Sequence, residues 1–86
     1  MDAAELKLLK QYMHVDHDDD DELIKRLWAV KVRSLSKAGV MIDASDKSDP
    51  GWLAAAGMTL EAYDGTPLPI GVRLLINQLK LDDPTF

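Results

Sequence analysis

Cysteine is absent from the 86 residues, which excludes a disulfide framework and thiolate chemistry and leaves the redox compartment unread. Histidine occurs only at positions 14 and 17, so no later histidine or cysteine can join them in a transition-metal set, and ordered metal binding is not expected. Long apolar runs are also missing. The longest uncharged segment, Pro50 to Leu60, is far shorter than the roughly 20 residues that span a bilayer. The opening Met1-Asp2-Ala3-Ala4-Glu5 lacks the basic and then apolar run of a signal peptide. A soluble protein with no membrane partner is expected. No serine, lysine or histidine comes with the partners that nucleophilic chemistry needs, so neither an enzyme nor a cofactor is expected.

Acidic residues are missing from Leu23 to Lys37, which carries Lys25, Arg26, Lys31, Arg33 and Lys37, whereas Met1 to Glu22 holds eight acids against Lys7 and Lys10. The net charge of −5 therefore hides segregated blocks. An acidic chain with one basic stripe is poorly suited to tight duplex binding, which needs several phosphate contacts. It suits a protein whose copies or partners meet through opposite patches. A chain of this length forms one small domain, residues 1–86, and leaves about a third or more of its unfolded-chain surface exposed. With 47% hydrophobic residues, some apolar surface remains for a partner, and self-association is expected.

The helical signals define an all-α fold, a small bundle of about four helices with one long loop between the second and third. Asp2 and Glu5 are spaced for a capping box, and Leu6, Leu9 and Met13 then recur at helical steps, predicting a first helix to about Tyr12. The second runs from about Asp20 to Ala38, with Leu23, Ile24, Leu27, Trp28, Val32 and Leu35 at helical spacing and Gly39 as its stop. Winding it at 3.6 residues per turn gathers Lys25, Arg26, Arg33 and Lys37 opposite Ile24, Trp28 and Leu35. This stripe is either merely solvated or a docking face. Val40 to Ser48 loses periodicity and reads as a mobile loop or a short hairpin. Asp49 can cap and Pro50 can open a third helix to about Tyr63, with Trp52, Leu53, Ala56 and Leu60 inward, weakened by about 1 kcal/mol at Gly57. Asp64-Gly65 ends it. Pro69 is expected to open the last helix, which reaches about Leu81. Ile70, Val72, Leu74, Leu75, Ile76, Leu79 and Leu81 leave only a narrow polar arc for Arg73, Asn77 and Lys80, so that helix is either central to the core or shared with a neighbour. Trp28 and Trp52 are expected as core anchors rather than a binding platform, and Tyr12 and Tyr63 as core or rim residues.

The nine residues His14-Val15-Asp16-His17-Asp18-Asp19-Asp20-Asp21-Glu22 contain six carboxylates. Counted from Asp16 as an EF-hand loop, the sixth position is Asp21 instead of glycine and the twelfth is Leu27 instead of a bidentate glutamate, so the calcium pattern fails. Acid–base catalysis needs two carboxylates in different environments, and a solvated run supplies the opposite. The run is expected to start the second helix: Asp18 or Asp19 caps it, Asp19 and Glu22 are spaced as a capping box, and the other carboxylates favour the positive end of the helix dipole.

A short amphipathic helix, His14-Val15-Asp16, an acidic run and Asp21-Glu22-Leu23-Ile24-x-x-Leu27, followed at the far end by Tyr63-Asp64-Gly65-Thr66-Pro67-Leu68-Pro69-Ile70 before an apolar helix, resemble the small head-tail connector (adaptor) proteins of tailed phages and prophages. The resemblance covers most of the chain. It implies a helical subunit without catalytic residues that assembles as a homo-oligomeric ring beneath the portal, completing the head after DNA packaging and extending the DNA channel toward the tail. It implies portal and tail-completion proteins as neighbours, DNA passing without sequence-specific binding, and a place at the head-tail junction of the virion after assembly in the host cytoplasm. A cyclic ring needs two different faces per subunit. The residues expected at those faces are Asp18, Asp19, Asp20 and Asp21 on the acidic side and Lys25, Arg26, Arg33 and Arg73 on the basic side. The alternative reading is a small acidic helical regulator, antitoxin-like, that occupies a basic partner.

Overall fold

The computed structural model describes residues 1–81, with side chains through Gln78, so the expectations for Leu79, Lys80 and Leu81 side chains lie outside the described ones. Four helices follow one another, α1 (Ala3–Met13), α2 (Asp21–Lys37), α3 (Pro50–Asp64) and α4 (Ile70–Leu81), and no strand occurs among the described residues. The fold is a small all-α bundle.

The helix ends follow from local chemistry. Asp2 and Glu5 form the expected capping box, each side chain accepting from the other's backbone N–H at 2.8 and 3.2 Å. α1 ends with His14 in the left-handed region (φ 59°, ψ 36°), where its N–H reaches Gln11 O and the Val15 N–H reaches Lys10 O, a Schellman pair closed by a non-glycine residue. Gly39 (φ 87°) closes α2 in the same way, with Val40 N–H donating to Leu35 O. At α3 the Asp49 side chain accepts from Trp52 N–H at 2.9 Å ahead of Pro50. Pro69 stands just outside α4 rather than opening it, and its carbonyl accepts from the Val72 and Arg73 N–H groups.

α3 is the centre of the bundle, since α1, α2 and α4 all pack against it. Its buried residues, Gly51, Trp52, Ala54, Ala55, Ala56, Gly57 and Thr59, surround the helix, whereas Leu53 and Leu60, expected inward, are only half-buried. Small side chains permit this. A Cβ on Gly57 would lie 2.8 Å from Leu68 and 3.1 Å from Val72, so glycine is what lets the approach to α4 come this close. Thr59 is fully buried and donates its hydroxyl to Ala55 O at 2.7 Å.

The expected stripes of α1 (Leu6, Leu9, Met13) and α2 (Ile24, Trp28, Leu35) are buried. Trp28 and Trp52 anchor the core: their rings lie 5.9 Å apart, and Tyr12 meets Trp52 edge-on at 5.7 Å. Burying side chains of this size stabilises by about 1.5–3 kcal/mol each. One expectation fails: Leu23 is 47% exposed, because it falls about 100° from Ile24 around the helix and faces water. Of the two alternatives for α4, the central one does not hold: Ile76 is its buried side chain among those described, while Ile70 and Leu74 are 77% and 62% exposed.

The segment after α2 is the expected loop, without a strand pair, and its first residues pack on the core. Val40 is buried, Ile42 packs on the core, and the Met41 carbonyl sits where a Cβ on Gly51 would be, at 2.3 Å. From Asp43 onward the chain is exposed but folded into two side-chain-bonded turns. Asp43 accepts from Ser45 N and Oγ, and Asp46 accepts from Ser48 N and Oγ.

Candidate interaction surfaces

The acidic run forms the joint between α1 and α2. Asp20, not Asp18 or Asp19, stands at the N-cap, and its carboxylate makes no cap hydrogen bond to the helix. The expected Asp19–Glu22 capping box is therefore absent. The physical reason is competition: the Tyr63 hydroxyl at the end of α3 donates to Asp20, tying the start of α2 to the end of α3 and making the two helices antiparallel. This bond, with lesser burial, raises the Tyr63 pKa above its ordinary value.

Lys10 of α1 gathers two more carboxylates. Its Nζ lies 2.7 Å from Asp18 Oδ1 and 2.8 Å from Asp21 Oδ1, and the lysine side chain is only 12% exposed. Hydrogen bonding to Asp18 and then Asp21 raises the Lys10 pKa, and the bond from Lys10 lowers that of Asp18. Asp21 and Glu22 still lie in the first turn of α2, where the dipole favours them. Glu22 pairs with Lys25 one turn on, at 3.4 Å. His17 Nδ1 accepts from Asp19 N–H, and the Asp19 carboxylate is 94% exposed. Among the described residues no group of three His, Cys, Asp or Glu side chains is placed to hold a metal ion.

The predicted basic residues separate into three environments. Arg26, Arg33 and Lys37 are exposed along one side of α2, with the exposed Val30 among them, and make no ion pair among the described residues. Lys25 lies nearer the core and pairs with Glu22. Arg73 belongs elsewhere: with Lys31 it borders a groove of about 480 Å³ floored by Met58, Leu68 and Ile76 and walled by Glu61. The Glu61 carboxylate accepts from Leu68 N–H at 3.3 Å. Lys31 and Leu23 were expected only as members of the basic block and the apolar stripe, and Glu61 carried no signal in the sequence. The helical wheel carries the signal for Lys31, which falls about 140° from the centre of the Arg26–Arg33–Lys37 row, on the flank of the buried stripe.

The indole Nε1 of Trp52 is buried without a hydrogen-bond partner among the described residues, the cost of placing a tryptophan at the centre of an apolar core. No helix among the described residues is long and apolar enough to cross a membrane. No family model, curated protein or solved structure matches the chain.

Proposed function

We propose that this protein is the subunit of a ring that joins head and tail in a tailed phage or prophage, a structural component without catalytic residues or cofactor. In this reading the ring docks under the portal after packaging, meets tail-completion proteins on its other side, and lets DNA through without reading its sequence. The supporting observation is an asymmetric surface: an acidic joint at one end of α2, cations on other faces that are unpaired among the described residues, and exposed Ile70 and Leu74 on α4. Two unlike, complementary faces on one subunit produce heterologous contacts, which close into rings when the rotation per subunit permits. The sequence resemblance supplies the phage context.

The regulator alternative draws on net charge alone. Stoichiometry separates the two readings. Native mass measurement with negative-stain imaging is expected to show closed rings at high concentration, and rings seated on purified portal. A chain that stays monomeric at millimolar concentration, even beside a portal ring, overturns the connector reading, and a one-to-one complex with a basic partner favours the regulator.

A further inference from the structure

We infer that the groove between α2, α3 and α4 receives the N-terminal corner of α2 from a second copy of this chain, with Leu23 on the apolar floor and Asp19 and Arg26 on the charged walls. The inference rests on the ring reading, for which it names the repeating contact.

The corner and the groove match in sign and chemistry. At the start of α2 the chain presents the 94% exposed carboxylate of Asp19, the 47% exposed Leu23 four residues later, and the exposed Arg26 one turn beyond. The corner thus carries an anion, an aliphatic side chain and a cation. The groove is lined by the complementary groups: Lys31 and Arg73, which hold no ion pair among the described residues, the apolar Met58, Leu68 and Ile76, and the Glu61 carboxylate. Its roughly 480 Å³ are more than a leucine side chain needs.

Both halves are held in place. The corner is set by the Lys10 bonds to Asp18 and Asp21 and by Tyr63 on Asp20, which tie those three carboxylates to the fold, Asp18 while still 91% exposed, and leave the 94% exposed Asp19 without a lysine or tyrosine partner among the described residues. The groove owes its shape to Gly57, where α4 and Leu68 approach α3 too closely for a Cβ, and to the Leu68 N–H bond to Glu61. The two surfaces lie on different parts of one subunit, so each copy can give with one and receive with the other. Such a contact is heterologous by construction, and its charged pairs make it weaken with salt.

The test uses the full chain and two single-face variants. Leu23→Asp removes the corner and keeps the groove, and Lys31→Glu/Arg73→Glu reverses the groove and keeps the corner. All three positions are at least partly open to solvent, and circular dichroism with thermal melts verifies the fold. By sedimentation velocity and native mass measurement, each variant alone is expected to lose self-association by about tenfold or more. Mixed together, they should form a one-to-one heterodimer and nothing larger, because one intact corner meets one intact groove. Arg26→Glu should weaken assembly, and adding Glu61→Arg should restore it. If the wild type assembles and both variants assemble equally well, the contact is overturned while the ring stands. If the wild type forms open chains that both variants abolish, the contact stands and the ring reading falls. A wild type that remains monomeric at millimolar concentration overturns both.

Discussion

Gly51 and Gly71 occupy the same position, second in α3 and second in α4, yet substitution by alanine is expected to act in opposite directions. The intrinsic helix term is shared: alanine is favoured over glycine by up to about 1 kcal/mol, less near a helix start. The surroundings differ. A Cβ on Gly51 would stand 2.3 Å from the Met41 carbonyl oxygen, 2.9 Å from Ile42 Cγ1 and 3.1 Å from Asp49 Oδ2, whereas nothing lies within 4 Å of one on Gly71. The closest of these atoms belongs to backbone and cannot turn aside, so residues 41 and 42 must move. Their movement would also strain Asp49, which holds both Asp43 N–H and Trp52 N–H. Overpacking of this kind costs about 1–3 kcal/mol, so Gly51→Ala should destabilise by about 1–2 kcal/mol after the helix gain is credited. At about 4–8 °C per kcal/mol for a domain of this size, that is a clear fall in melting temperature, while Gly71→Ala should leave it unchanged or raised. Urea denaturation of the two variants measures the difference, and amide exchange at Asp43 should accelerate in the first alone. Equal effects from both substitutions would show that the post-α2 segment does not rest on α3, and would refute the packing described above.

Three further outcomes are expected. Lys10→Met removes the link between α1 and the acidic joint. The depressed Asp18 contributes fully above its ordinary pKa of 3.8 and loses that contribution as pH falls through its folded value, while the raised Lys10 contributes fully below 10.5 and loses it as pH rises through its own. The stability gap between wild type and variant, measured by urea denaturation, should therefore be widest from about pH 5 to 9 and narrow at both extremes; a gap unchanged down to strongly acid pH contradicts the link. His14→Gly relieves a left-handed conformation that costs an ordinary residue about 1–2 kcal/mol, and after glycine's larger unfolded entropy should stabilise by about 0.5–1 kcal/mol; a lower melting temperature would mean that the imidazole is doing something other than ending α1. Calcium or zinc should leave the melting temperature unchanged, because the acidic run breaks the EF-hand spacing; a saturable rise at micromolar metal would assign the run a metal after all.

Local signals in the sequence carried the helix boundaries. Asp2 with Glu5, Gly39, Asp49-Pro50 and Gly65 each act through backbone groups within a few residues, and all appear at element ends where expected. Which helix is central was not readable in the same way. Hydrophobicity ranks α4 above its true burial, because Ile70 and Leu74 are large and apolar yet outward. It undervalues α3, where alanines and glycines carry little apolar area but let three neighbours approach. The acidic joint failed for a related reason. A capping rule considers only the three residues that follow, whereas Asp20 is claimed by Tyr63, 43 positions away, and Asp21 by Lys10 on another helix. The groove escaped notice because it combines side chains from α2, α3, α4 and the linker at Leu68, a combination that no single helical wheel displays.

The four consecutive aspartates therefore divide between two tasks, and the division can be measured. Asp21 is three-quarters covered and bonded to Lys10, so replacing its charge with an amide weakens a charge-assisted bond inside the fold. Asp19 holds its carboxylate in solvent, 4.0 Å from His17 Nδ1, and in the proposed contact it faces the neighbouring copy. Asp21→Asn should lower the melting temperature of the isolated subunit, and should reduce assembly only to the extent that the corner loses its shape. Asp19→Asn should leave the melting temperature within the small range usual for exposed substitutions, about 0.5 kcal/mol, and should weaken assembly most at low salt, where an exposed charge is least screened. Sedimentation at two ionic strengths beside a thermal melt reads both effects. If Asp19→Asn destabilises the monomer as much as Asp21→Asn does, the run is purely a helix-start device and the corner has no charge reserved for a partner.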